Sequence, residues 1–117
     1  NRVSQIMEEK GMTDYKRVGL YGLTYKENVD DFRESPTLQL LEAQKRHLAE
    51  PLKVYDPYIK RDIVSNQYHD LNQFLKDVDL VIIMVKHQEI IDNMNLLENK
   101  VVFDTQNICN FKNTYKL

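Results

Sequence analysis

Leu80-Val81-Ile82-Ile83-Met84-Val85 is apolar at every position, so neither face of a strand built from it could meet water. The common home for such a strand is the middle of a parallel sheet covered by helices on both sides. Three less uniformly apolar runs, Lys16 to Tyr21, Leu52-Lys53-Val54-Tyr55 and Lys100-Val101-Val102-Phe103-Asp104, are separated from it and from one another by stretches of helical spacing. Strands alternating with helices predict an open parallel sheet with right-handed crossovers, a Rossmann-like α/β fold. At 117 residues the chain has the length of a single domain.

The helices carry their own signals. Val3, Ile6, Met7 and Met12 recur at helical spacing, with Gly11 placed to stop that helix. Ser35 is a candidate N-cap with Pro36 at the first helical position; Thr37, Leu38, Leu41, Gln44 and Leu48 then trace one face of a helix ending before Pro51. Asp70 followed by Gln73 has the form of a capping box ahead of Leu71, Phe74, Leu75 and Val78. Residues 88 to 98 read as one or two short helices, residues 58 to 66 as a loop or ragged helix, and Gln67-Tyr68-His69 as a short edge strand. The polar tail from Cys109 onward is expected to be loosely held.

Several function classes are disfavoured. A net charge of -2 with interspersed signs is no nucleic-acid footprint, which would show a basic patch or stripe. One cysteine, Cys109, allows neither an intrachain disulfide nor a cysteine-based metal site. The longest apolar run is too short to span a bilayer, and the polar start is not a signal peptide, so a soluble, cytoplasmic protein is expected. The chain opens without an initiator methionine, which suggests a fragment of something longer; a processed product would look the same. A phospho-acceptor receiver domain fails on placement, because Gly22-Leu23-Thr24 follows the first strand and Val85 leads to Lys86, where that chemistry needs carboxylates.

Between Gly22 and Ser35 lies a charged strand-to-helix loop far longer than the usual two to six residues or so. It ends at a helix N-terminus, whose N–H groups and dipole favour an anion, and it reads as a phosphate or nucleotide contact loop. Gly19-Leu20-Tyr21-Gly22 is not the three-glycine dinucleotide fingerprint. Lys26 could meet a phosphate as a point charge or be a solvated surface lysine. Arg33 could clamp a phosphate with two N–H groups or pair with the neighbouring carboxylates Asp30, Asp31 and Glu34. Asp30 and Asp31 are more readily solvated or paired than metal-bound, and no metal is expected. His87 could be a base or a capped or exposed histidine, and Cys109 lacks a neighbour that would activate it. In parallel sheets ligands collect beyond the carboxyl ends of the strands, which here gathers Gly22 to Lys26, Asp56-Pro57, Lys86-His87 and Asp104-Thr105-Gln106-Asn107.

Gly22-Leu23-Thr24-Tyr25-Lys26 through Asp31-Phe32-Arg33-Glu34-Ser35-Pro36, then Val54-Tyr55-Asp56-Pro57, Asp77-Val78-Asp79-Leu80-Val81-Ile82 and Phe103-Asp104-Thr105-Gln106-Asn107, closely resemble the C-terminal domain of the UDP-glucose/GDP-mannose dehydrogenase family. The resemblance runs in the family's order through nearly the whole chain. It implies that residues 13–117 are the C-terminal UDP-sugar-binding domain and that residues 1–12 form the helix leading out of a missing central domain.

Further implications come from the family alone. Its members oxidise a nucleotide sugar's primary alcohol to a carboxylate in two NAD-dependent steps through a thioester on a cysteine. NAD sits mainly on an N-terminal domain, and the central domain carries that cysteine and the dimer contact. Tyr25, Lys26 and Gln106 would contact the UDP-sugar, and Arg33 would reach the NAD phosphates. No catalytic residue falls in this chain, because Cys109 does not match the family nucleophile. Gln106 stands where an arginine is usual, and Phe32 where a small or polar residue is. Overall similarity leans toward the branch that oxidises UDP-N-acetyl-hexosamines, UDP-N-acetylmannosamine above all, for bacterial surface polysaccharides. The competing reading is an interaction or nucleotide-binding module whose loop docks a partner domain without a catalytic role.

Overall fold

The computed structural model describes residues 2–33, 35–44 and 52–117. Six strands, β1 (Val18–Tyr21), β2 (Lys53–Tyr55), β3 (Gln67–Tyr68), β4 (Leu80–Ile83), β5 (Val101–Asp104) and β6 (Thr114–Lys116), form one sheet in the order β3-β2-β1-β4-β5-β6. All five pairings are parallel. That order is the one in which two wound halves meet between β1 and β4, and the crevice outside their carboxyl ends is where such sheets bind ligands.

The apolar run of the sequence is central, as its composition requires: β4 is buried along its whole length between β1 and β5. Strand periodicity divides the core. Leu20, Val54, Ile82 and Phe103 point to one face, where they meet Val3, Ile6 and Met7 of α1 (Arg2–Glu9) and Leu38 and Leu41 of α2 (Pro36–Gln44). Tyr21, Tyr55, Ile83 and Val102 point to the other, against Leu71, Phe74 and Leu75 of α3 (Leu71–Lys76) and Ile90 of α4 (Gln88–Asp92).

Local chemistry accounts for the helix ends. Asp70 caps α3 by accepting from the Gln73 N–H at 2.8 Å, while the Gln73 amide turns away to Asp77, so only half of the expected capping box forms. Ser35 accepts from the Thr37 N–H at 3.2 Å at the start of α2. Both residues are fully buried, and the Thr37 hydroxyl donates back to the Gly22 carbonyl at 2.6 Å. Of the N–H groups in the first turn of α2, that of Thr37 is thus taken by Ser35. The expected helix end before Pro51, with Leu48, lies outside the described residues, as does Glu34.

Two expectations are corrected. The tail is not loosely held: Thr114–Lys116 extends the sheet beyond β5, Lys10 donates to Asn113 at 2.8 Å, and the Arg2 guanidinium lies 5.5 Å from the Tyr115 ring centroid. Lys16 and Arg17 are not strand residues but part of a 3-10 turn capped by the Asp14 carboxylate, which accepts from the Lys16 N–H at 2.8 Å. No helix among the described residues is long and apolar enough to cross a membrane.

Candidate functional site

Because every strand runs the same way, β1, β2, β4 and β5 all deliver their following loops to one rim. The chain crosses closely there. Gly22 has φ +106, and a Cβ at that position would lie 2.7 Å from Cβ of Val85 and 2.9 Å from its backbone nitrogen. Only glycine meets both demands, so the β1 loop leaves the sheet pressed against the end of β4.

The rim is organised by a buried carboxylate and imidazole. Asp56, just past β2, and His87, just before α4, are respectively 2 % and 0 % exposed. His87 Nε2 is 2.8 Å from Asp56 Oδ2. The same carboxylate accepts from the backbone N–H groups of Leu23 at 2.7 Å, Thr24 at 3.2 Å and Tyr58 at 2.7 Å. On the far side of the ring, the Asn28 N–H donates to Nδ1 at 2.9 Å. A nitrogen that accepts this bond cannot also hold a proton there, so His87 is the neutral Nε2–H tautomer donating to Asp56. The histidine is therefore neither exposed nor a cap: its side chain makes no capping bond to α4.

Thr24 Oγ1 lies 3.2 Å from the same Nε2, which brings Thr, His and Asp into contact. The arrangement is not a nucleophile relay. A relay needs the acid on one ring nitrogen and the nucleophile on the other, whereas here both face Nε2 and the threonine proton goes to the Lys26 carbonyl at 2.9 Å. The group holds backbone in place. Asn28, at φ 59, completes it by accepting at Oδ1 from the Gln88 N–H at 2.8 Å and the Tyr58 hydroxyl at 3.3 Å.

The expected contact residues sit on this frame. Between Thr24 and Asn28, the Tyr25 N–H donates to the Asp31 carbonyl at 2.7 Å, while the Tyr25 side chain is 58 % exposed. Lys26 is exposed and has no ion-pair partner among the described residues. Arg33 is engaged: it donates through Nε and Nη2 to the two Asp31 oxygens at 3.1 and 3.0 Å. Those bonds hold the Asp31 carboxyl down at about 2. Gln106, half-buried after β5, donates its amide to Thr105 Oγ1 at 3.1 Å. No hydrogen bond or ion pair joins any two of Tyr25, Lys26, Arg33 and Gln106. Phe32 packs against the core with the Arg61 guanidinium 5.6 Å from its ring centroid, tying the β1 and β2 loops together.

Other reactive groups are spoken for. Cys109 is buried, with its thiol pushed up to about 11 by burial and by the Asp104 charge. Among the described residues no three His, Cys, Asp or Glu side chains converge as metal ligands. Sequence reasoning did not connect Asn28 and Asp56 to His87; an asparagine in a glycine-poor loop, where it tolerates positive φ, was the available signal.

Residues 19–111 match the family model of the UDP-glucose/GDP-mannose dehydrogenase family, UDP binding domain. A UDP-N-acetyl-D-mannosamine dehydrogenase from Methanococcus vannielii is 33% identical over 105 residues, 80% of this chain and 23% of that protein. An NDP-N-acetyl-D-galactosaminuronic acid dehydrogenase from Ralstonia nicotianae is 28% identical over 99 residues, again 23% of its length. Among solved structures, the UDP-N-acetyl-mannosamine dehydrogenase Cap5O from S. aureus superposes with TM-score 0.74 at 31% identity, over 97% of this chain and 28% of that one. The chain thus spans about a quarter of the length of these relatives. With the fold, the rim loops and the matched residues in agreement, the chain belongs to the UDP-glucose/GDP-mannose dehydrogenase family, whose UDP binding domain it carries.

Proposed function

We propose that this chain is the nucleotide-sugar-binding domain of an NAD-dependent UDP-sugar 6-dehydrogenase, which converts UDP-N-acetylmannosamine or UDP-glucose to the uronate for bacterial surface polysaccharides. The observation that carries the reading is the loop from Gly22 to Asn28, whose backbone is fixed by buried Asp56 and His87 while Tyr25 and Lys26 project outward. Lys26 supplies a charge for a phosphate, Tyr25 an aromatic face for the nucleotide or sugar, and Gln106 amide donors in place of the family's usual arginine.

NAD fits this chain only as a shared ligand. The β1–α2 loop has no three-glycine cradle, so a dinucleotide would rest mainly on another domain. Arg33 would contribute to it after exchanging Asp31 for a phosphate; bound NAD supplies the hydride acceptor. Residues 1–12 are read as leading out of a central domain that also forms a homodimer, in a cytoplasmic enzyme. Cys109 does not match the family nucleophile, and on this reading the chain alone is inactive.

Titration with UDP, followed by amide chemical shifts, tests the proposal. Shifts confined to residues 22–33 and 104–107 are expected. Their absence at millimolar UDP would count against nucleotide binding by this domain. The engagement of Arg33 by Asp31 favours a second reading, an interaction module whose loop docks a partner domain, and that reading predicts no response to UDP.

A further inference from the structure

We infer that His87 is the positioning residue of the nucleotide-contact loop, acting through its neutral Nε2–H tautomer to fix where Tyr25 and Lys26 stand. The inference rests on the proposed nucleotide reading for its consequence, but not for its geometry. Four observations carry it. The ring is fully buried, yet it comes from a loop 59 residues away from Asn28 and 31 from Asp56, so it is the tie between three strand ends. Each ring nitrogen has one defined role: Nε2 donates to Asp56, and Nδ1 accepts the Asn28 N–H. The two bonds bracket Tyr25 and Lys26 in the chain, one through Asp56 to Leu23 and Thr24, the other directly at Asn28. Finally, Asn28 stands at φ 59, a left-handed conformation that asparagine accepts more readily than most side-chain-bearing residues. That turn is held on both sides, by the His87 ring at its N–H and by the Gln88 N–H at its side chain.

An aliphatic residue at 87 would leave the Asn28 N–H without its acceptor and take one of three donors from Asp56 Oδ2, and the loop would move to find water. A glutamine can donate to Asp56 and retains an acceptor, so His87→Gln is the conservative variant. Tyr58, whose ring centroid is 4.9 Å from that of His87, and Tyr21 at 6.0 Å form the walls that a substituent must fit.

The test uses the chain itself. Imidazole nitrogen shifts of the wild type should show a neutral ring protonated at Nε2 alone. In His87→Leu, amide exchange at Asn28 and Tyr25 should accelerate by about tenfold or more, one hydrogen bond's worth, with Leu20 and Ile82 unchanged. UDP affinity should weaken about fivefold or more, and His87→Gln should recover most of both losses. A ring protonated at Nδ1, or unaltered loop exchange in both variants, overturns the inference. If His87→Leu does not fold, the wild-type tautomer and His87→Gln still decide it, with a loop released in the glutamine variant counting against it. Wild-type protein blind to UDP would sink the nucleotide reading and leave the exchange and tautomer results to judge His87.

Discussion

The Lys116 ammonium lies 2.7 Å from Oδ2 of Asp104, joining the outermost strand to the carboxyl end of β5. Asp104 also accepts from the backbone N–H groups of Gln106, Ile108 and Cys109, and Lys116 donates to the Cys109 carbonyl. Burial would raise the Asp104 carboxyl, but the Lys116 bond and the three N–H groups outweigh it and hold it below its ordinary value.

That depression has a definite sign for stability. An acid whose folded value is lowered contributes fully above its unfolded pKa of about 4 and loses the contribution as pH falls through the lowered value. Lys116→Met is expected to destabilise by about 1–2 kcal/mol at neutral pH, a figure reduced because the lysine is partly exposed. Asp104→Ala removes the acceptor for three N–H groups and should lose about 3 kcal/mol or more. Urea denaturation from pH 7 down to pH 3 should show the gap between wild type and Asp104→Asn narrowing toward acid. A gap independent of pH would mean that the carboxylate charge plays no part.

Gly19 is a packing position. A Cβ there would stand 2.6 Å from Cζ of Phe74 and 2.8 Å from Cγ1 of Val78. The Phe74 ring cannot retreat, since Tyr55 and Tyr68 hold it at centroid distances of 5.7 and 5.8 Å. Gly19→Ala should therefore destabilise by about 1–3 kcal/mol through overpacking. In a Phe74→Leu background the same change should be milder, and strict additivity in a double-mutant cycle would show that the two side chains do not share the space.

What the chain disclosed before folding follows the range over which its signals act. Leu80 to Val85 announced a central strand, Ser35 and Pro36 a helix start, and Asp70 a cap, because each is read from neighbours within a few residues. The carboxyl rim was legible too, since topology alone sends the residues after each strand to it. Long-range partners were not. Thr114-Tyr115-Lys116 looks like polar tail until Asp104 and β5 supply its pairing, and nothing beside His87 in sequence names Asp56 or Asn28. The long loop after β1 signalled a task and left its arginine open between a phosphate and the carboxylates beside it; the fold pairs Arg33 with Asp31, two residues away.

Tyr21 and Tyr55, neighbours across β1 and β2, both donate to Glu89, at 3.1 and 2.8 Å. Burial first, and then the charge and hydrogen bond of Glu89, push both phenols upward. Groups whose folded value is raised stabilise fully below their unfolded pKa, about 10, and the stability drains away as pH rises beyond it. Ultraviolet titration should show at least two of the seven tyrosines, Tyr21 and Tyr55, ionising only as the protein unfolds in alkali. Tyr55→Phe should lose about 1–2 kcal/mol at neutral pH and soften the alkaline dependence. If all seven titrate together in folded protein, the two phenols are not bound as described.

Lys26 separates function from folding. It is exposed and without an ion-pair partner among the described residues, so Lys26→Ala should leave thermal stability unchanged. If its ammonium meets the pyrophosphate of UDP, the variant should bind UDP about tenfold more weakly, the scale of one charge-assisted hydrogen bond at a solvated rim. The wild-type affinity should also fall with added salt more steeply than that of the variant, because the removed attraction is the screened one. Calorimetry at two ionic strengths, alongside thermal melts, provides both comparisons. Equal salt dependence in the two proteins would place Lys26 away from the phosphates, and a matching loss of stability would make it a structural residue of the loop.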